Sequence, residues 1–251
     1  MRSVKLFFRT LLVLAPAFAS AQTPPPDSVT ELLRQKARPG TVQDYEAARK
    51  KHMAWHKAQN DPWVWEVFEV MTGPDTGSYV IASGDHQWKE MEAWVAKMAD
   101  ADAADSQASM GQYIASTQRE YWTQLNAISR MPAADKQYPL ITVTTFHVKP
   151  GSDTAVRAAI AKVNAALDAG KYPLPTVWNV LTNGGPSPTY AVVVPRTGLG
   201  EMAPAPALLE VLEKQLGKVA ADALVKSFYD NVVSANTELL RLRTDLSYLP
   251  N

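Results

Sequence analysis

Residues 140–151 read LITVTTFHVKPG, and the fold turns on them. Leu140 to Val148 is rich in β-branched residues and alternates in polarity, so it predicts a strand. Pro150-Gly151 turns the chain, and Ser152 or Asp153 can cap a helix. From Thr154 to Ala169 the apolar residues Val156, Ala159, Ile160, Val163, Ala166 and Leu167 recur at helical spacing, and Gly170 stops them. Two short strands, Thr176–Leu181 and Thr189–Val194, flank the hairpin signal Asn183-Gly184-Gly185-Pro186. Helical stretches over Pro206–Leu216 and Ala221–Ala235 follow, and Thr237–Leu246 closes the unit as a strand.

The same order is expected upstream. When the chain is slid against itself by 111 residues, Pro39-Gly40 falls on Pro150-Gly151 and Tyr79 on Tyr190. Across residues 39–91 this gives 12 identities without a gap. Unrelated sequences of average composition would give roughly three. The reading is a tandem duplication. Copy one has a strand over Val29–Ala37, a helix from Thr41 to Lys57, and strands over Trp63–Met71 and Ser78–Ser83. Helical segments lie between His86 and Arg119, and a last strand lies near Tyr121–Ile128. Each copy is then an α+β unit of order βαββαβ, a ferredoxin-like arrangement that leaves one sheet face bare. Two bare faces can bury one another.

The strand ending in basic residues, then Pro-Gly, then an amphipathic helix occurs as ELLRQKARPG at 31–40 and TTFHVKPG at 144–151. This resembles the dimeric α/β-barrel superfamily, in its NIPSNAP-like and antibiotic-biosynthesis-monooxygenase-like branches. The resemblance implies an intramolecular pseudo-dimer around one central α/β barrel. It also implies relatives that are cofactor-independent monooxygenases or haem-dependent, chlorite-dismutase-like proteins. The chain departs from the latter in one respect. Its second copy holds a single histidine, His147, on a predicted strand and not on a helix.

Residues 1–21 have the form of a signal peptide. Arg2, Lys5 and Arg9 precede a short apolar core, and Ala19-Ser20-Ala21 is a small-residue cleavage site. Residues 22–27 read as a flexible leader, 28–131 as the first repeat, 132–138 as a linker and 139–251 as the second repeat. The expected location is periplasmic or secreted, with no membrane span after cleavage. Removing three cations leaves 22 Lys+Arg against 25 Asp+Glu, a balance that does not suit nucleic acid. Cysteine is absent, which excludes disulfides, thiolate metal sites and cysteine nucleophiles.

His52 and His56 sit four apart on the first predicted helix, so both imidazoles share a face and could share a metal. No third ligand stands near them in sequence. Arg34 and Lys36 align with Thr145 and His147, a polar row on the strand before each Pro-Gly. With Leu33 and Phe146 facing the helices, this row would face the barrel interior and suit an anionic or carbonyl-bearing ligand. Trp63 and Trp65 share a strand face and suit a flat apolar ligand. Arg241 and Arg243 alternate with leucines on the last strand and could line the same space. No phosphate-binding loop or nucleophile elbow is present. The reading favoured by these residues is small-molecule binding in a barrel cavity between the repeats. An envelope protein-interaction module, paired with a homodimer or a protein partner, is the second reading. A cofactor-independent monooxygenase-like or haem-dependent enzyme is the third. No cofactor is identifiable from motif, and metal or haem is the less favoured expectation.

Overall fold

A computed structural model of the protein describes residues 25–250. Residues 1–21, with the form expected of a signal peptide, lie outside the described residues. Eight strands and five helices follow in the order β1 (Ser28–Ala37), α1 (Val42–Ala58), β2 (Glu66–Val70), β3 (Tyr79–His86), α2 (Trp88–Met110), β4 (Ile114–Gln124), β5 (Leu140–Val148), α3 (Asp153–Ala169), β6 (Val177–Asn183), β7 (Thr189–Arg196), α4 (Leu208–Leu216), α5 (Lys218–Tyr229) and β8 (Val232–Leu242). The β5–α3 segment forms as its polarity pattern dictates. Leu167 and Ile160 on the apolar stripe of α3 are essentially fully buried. Each such side chain contributes roughly 1.5–3 kcal/mol.

All strand pairs are antiparallel and close into a barrel of order β1-β3-β2-β8-β5-β7-β6-β4. Within it lie two four-stranded runs, β2-β3-β1-β4 and β6-β7-β5-β8. They meet at two like seams: β2 pairs β8 (Phe68↔Leu242), and β6 pairs β4 (Leu181↔Trp122). Strand alternation sorts the side chains. Thr30, Leu32 and Arg34 of β1 point into the barrel, and Glu31, Leu33 and Gln35 point out beneath the helices. The bounds of α1 and α3 lie exactly 111 residues apart.

Several boundaries differ from the sequence expectation. The β4 strand begins at Ile114 and not near Tyr121, and β8 begins at Val232 where a helix was expected to run on to Ala235. The early halves of both strands are hydrogen-bonded on one side only, to β1 and β5, and their side chains are exposed. With no buried face they carry no apolar alternation to read. The expected strand Trp63–Met71 is shorter, because Trp65 makes only an isolated bridge with Tyr248 and Trp63 lies before it. The turns after β2 and β6 abut the facing strands. Gly184 (φ +104°) is pressed so close to β4 that a Cβ would lie 2.3 Å from the Arg119 carbonyl oxygen. A side chain there would meet backbone.

Candidate metal centre

The barrel lumen and a cleft outside it both leave open space. The barrel lumen holds a cavity of about 350 Å³, walled by Leu32, Phe68, Val80, Trp122, Val143 and Leu240 among others. Pro132 and Tyr138, from the segment joining β4 to β5, stand at its mouth. A second space of about 410 Å³ lies outside the barrel, between the β1/β4 sheet and helices α1 and α2. The matching layer beneath α3 and α5 is filled by Phe146, Val156, Ile160, Trp178, Tyr190 and Phe228.

The outer cleft carries the chemistry. Tyr45, Arg49, His52 and His56 recur at helical spacing on the buried face of α1. Both histidines are almost wholly buried. Opposite them, α2 presents Asp102. Its Oδ1 is 3.2 Å from His52 Nε2 and 3.2 Å from His56 Nε2. All three donor atoms lie within 4.8 Å of one another. Neither approach has hydrogen-bond geometry, and this buried Oδ1 accepts no hydrogen bond among the described residues. Two donors each about 2.1 Å from one ion stand roughly 3.0 Å apart at a right angle and roughly 3.4 Å apart at the tetrahedral angle. The observed spacing falls between them.

The far nitrogens are held by further carboxylates. His52 Nδ1 is 2.7 Å from Asp105 Oδ2, and His56 Nδ1 is 2.8 Å from Asp61 Oδ2. A carboxylate on Nδ1 fixes the tautomer that leaves the Nε2 lone pair free for a metal. Asp61 is itself locked in place. It accepts from Trp65 Nε1 at 2.9 Å, Trp94 Nε1 at 3.0 Å and the Trp63 backbone N–H at 3.1 Å. Burial opposes the charge on Asp61, but these four donors outweigh it and lower its pKa. Burial likewise opposes charge on Asp102, and the two imidazoles outweigh it, holding its carboxyl well below the usual range. For His56 burial favours the neutral ring, yet Asp102 and Asp61 together raise its pKa. Without an ion, each imidazole needs two protons to satisfy its two carboxylates. With one, the Nε2 protons are unnecessary.

The structure brings His52 and His56 together with a ligand that sequence spacing did not supply. A signal for it exists. Met91, Trp94 and Met98 form the buried stripe of α2, and the same stripe continues as Asp102 and Asp105. Acids on an apolar stripe opposite two stripe histidines mark a polar buried layer.

The expected ligand-binding row is only partly assembled. Arg34 and Thr145 do face the lumen. Lys36 is exposed near the end of β1, still paired with Ser116 of β4, and does not line the lumen. His147 is hydrogen-bonded to Thr189 at 2.7 Å at the end of β5 and does not line the cavity. Nor is the lumen basic. Arg34 is 3.2 Å from Glu238 and 3.7 Å from Glu120, and both carboxylates are buried. Trp63 and Trp65 do not wall the lumen either. They pack under α1 and α2 with Trp94, where they hold Asp61, and the aromatic wall of the lumen comes from Trp122 and Phe68. Arg241 and Arg243 face outward, paired with Glu69 and with Glu46 and Asp245.

No protein-family model and no curated protein sequence matches the chain. Solved structures do. A putative monooxygenase from Lactobacillus acidophilus is 10% identical with a TM-score of 0.55, over 88% of this chain and 96% of that one. A putative monooxygenase from Fusobacterium nucleatum is 11% identical with a TM-score of 0.56, over 86% and 92%. A mutant chlorite dismutase from Candidatus Nitrospira defluvii is 6% identical with a TM-score of 0.54, over 87% and 92%. What they share with this chain is the fold. It is the ferredoxin-like α/β barrel that the sequence pattern implied.

Haem, which that fold can hold, does not fit these residues. A porphyrin needs open space all round the nitrogen that ligates its iron. Here both Nε2 atoms face Asp102 across 3.2 Å. The equivalent layer of the second half is packed with aromatic and aliphatic side chains. Among the described residues no helix is long and apolar enough to cross a membrane.

Proposed function

We propose that this protein holds one divalent first-row metal ion on His52, His56 and Asp102 and, with dioxygen as oxidant, oxidises a small molecule bound in the adjoining cleft. The observation that carries this reading is the convergence of two Nε2 atoms on a buried carboxylate oxygen that has no hydrogen-bond partner. Two histidines and one carboxylate are the ligand set of non-haem iron oxygenases, and they leave coordination positions open. When bound, the ion would supply those positions for dioxygen or substrate. The printed names of the fold neighbours, putative monooxygenases and an anthrone oxidase-like protein, agree with oxidation as the reaction class.

The remaining roles fall to the chain. Asp61 and Asp105 orient the imidazoles and set their tautomers. Trp65, Trp94, Ile81 and Leu33 wall the cleft with apolar surface and thin out water near the centre. The two halves are the products of a tandem duplication that act as an intramolecular pseudo-dimer. The 111-residue offset of α1 and α3 and the paired seams β2–β8 and β6–β4 support this. In that view the first copy keeps the site and the second is structural. The signal-like residues 1–21 place the mature chain in the periplasm or outside the cell. The apolar lumen favours a second reading, a ligand space for an uncharged molecule, since its one arginine is already matched by acids.

The test is elemental analysis of the full chain after export and mild purification, then reconstitution with Fe(II), Mn(II) or Zn(II) and measurement of oxygen uptake. One metal per chain, with uptake that needs a redox-active ion, is expected. A chain that takes up no ion overturns the reading.

A further inference from the structure

Among the described residues, Arg49 is the one charged side chain of the cleft interior without a counter-ion. It is only 2% exposed. Its Nη2 donates to the Gln35 side-chain oxygen and, at 3.1 Å, to the Tyr45 hydroxyl, and its guanidinium lies 5.6 Å from the Tyr45 ring centre. All these partners are neutral. Among the described residues no carboxylate oxygen comes within 4.0 Å of it, and its Nε has no hydrogen-bond partner. The other acids of the cleft lie beside other cationic or ring groups: Glu31 is 3.2 Å from Arg119, and Asp61, Asp102 and Asp105 stand against the histidines.

A buried cation facing only neutral groups is costly, and folding does not require it. Positions 111 residues on from Gln35, Tyr45 and Arg49 are Phe146, Val156 and Ile160, all buried apolar residues of the second half. The same architecture is therefore built there with hydrocarbon. Arg49 also precedes His52 by three residues on one helix face, about 5–6 Å between Cβ atoms.

We infer that Arg49 anchors the carboxylate of a small organic acid bound in this cleft, with the rest of the molecule directed toward His52, His56 and Asp102. Nε–H is free to donate to a carboxylate oxygen, and a charge-assisted bond of this kind is about twice as strong as a neutral one. Phosphate would call for more positive charge than one arginine, and the walls of Leu33, Ile81, Trp65 and Trp94 suit an apolar body. The inference names the substrate class for the proposed metal centre, but carboxylate binding itself does not depend on metal.

The experiment is calorimetric titration of the metal-free full chain with acetate, benzoate and phenylacetate, with benzamide and inorganic phosphate as controls. Saturable binding of at least one aromatic carboxylate, and none of benzamide, is expected. Arg49→Met should weaken it by about tenfold to hundredfold, and Arg49→Lys by less. Arg49→Gln replaces Arg49→Met if the latter does not fold, with the same expected loss. Lys36→Ala, at an exposed residue outside the cleft, should bind the carboxylate as the parent does. Equal affinity in parent and Arg49→Met, no carboxylate binding by the parent, or tighter binding of phosphate would overturn the inference. Metal uptake with equal carboxylate binding in Arg49→Met sinks this inference and leaves the metal centre standing. Arg49-dependent carboxylate binding without metal uptake does the reverse.

Discussion

Replacing Asp61 by asparagine tests how the site is held. Oδ2 of Asp61 accepts from His56 Nδ1 and Trp65 Nε1, and Oδ1 accepts from Trp63 N and Trp94 Nε1. An amide has one acceptor oxygen, so its NH₂ must face one of these pairs of donors. The cheaper arrangement turns the NH₂ toward His56 and Trp65. His56 can then switch tautomer and accept through Nδ1, but the Trp65 indole N–H is left buried with no acceptor. That costs about 1–3 kcal/mol. The tautomer switch also places a proton on His56 Nε2, where the metal would bind, so metal affinity should fall by about 10–100-fold. Urea unfolding in chelator, followed by tryptophan fluorescence, reads the first effect, and metal titration reads the second. A variant with unchanged urea midpoint and unchanged metal affinity would refute the role given to Asp61.

Three further outcomes are expected. Gly184→Ala should destabilise the chain by about 1–3 kcal/mol in urea unfolding, because positive φ and contact with the β4 backbone both oppose a Cβ. A cost under about 0.5 kcal/mol would show that the turn relaxes freely. Arg34→Met leaves the buried Glu238 without its cation, while Glu120 keeps its bonds from Gln118 and Trp122, and should cost about 3–5 kcal/mol near neutral pH. A loss under about 1 kcal/mol, the worth of an exposed surface pair, would argue against the pairing. The Tyr190 phenol is pushed up to about 12 by burial and by its hydrogen bond to Asp153. Its neutral form is favoured in the folded state, so this contribution is complete below about pH 10, the ordinary tyrosine range, and is lost as pH rises towards 12. Melting temperature against pH should fall less steeply there in Tyr190→Phe than in the parent, and parallel curves would count against it.

The β5–α3 segment was legible because its strand is half-buried and its helix has one apolar stripe, so both periods are written in the residue order. The early halves of β4 and β8 were not legible, since one-sided pairing and exposure leave no apolar alternation, and Val232-Val233 reads as a continuation of the helix before it. Trp63 and Trp65 share a face with Val67, as alternation predicts, but the sequence does not say that this face turns to the helices and not to the lumen. The histidine pair was visible from its spacing, but Asp102 lies 46 residues beyond His56 on another helix. Only the packing of α1 on α2 makes the three a set. Arg34 was read as the charge of an open basic cavity because its partners, Glu120 and Glu238, come from strands whose register the sequence does not state.

The most direct measurement is calorimetric titration of the apo chain with Fe(II) under anaerobic conditions and with Zn(II), for the parent and for His52→Ala, His56→Ala and Asp102→Ala. One equivalent bound by the parent, and binding lost or severely weakened in each variant, is the predicted result. No binding by the parent, or binding indifferent to all three substitutions, would contradict a metal centre at His52, His56 and Asp102.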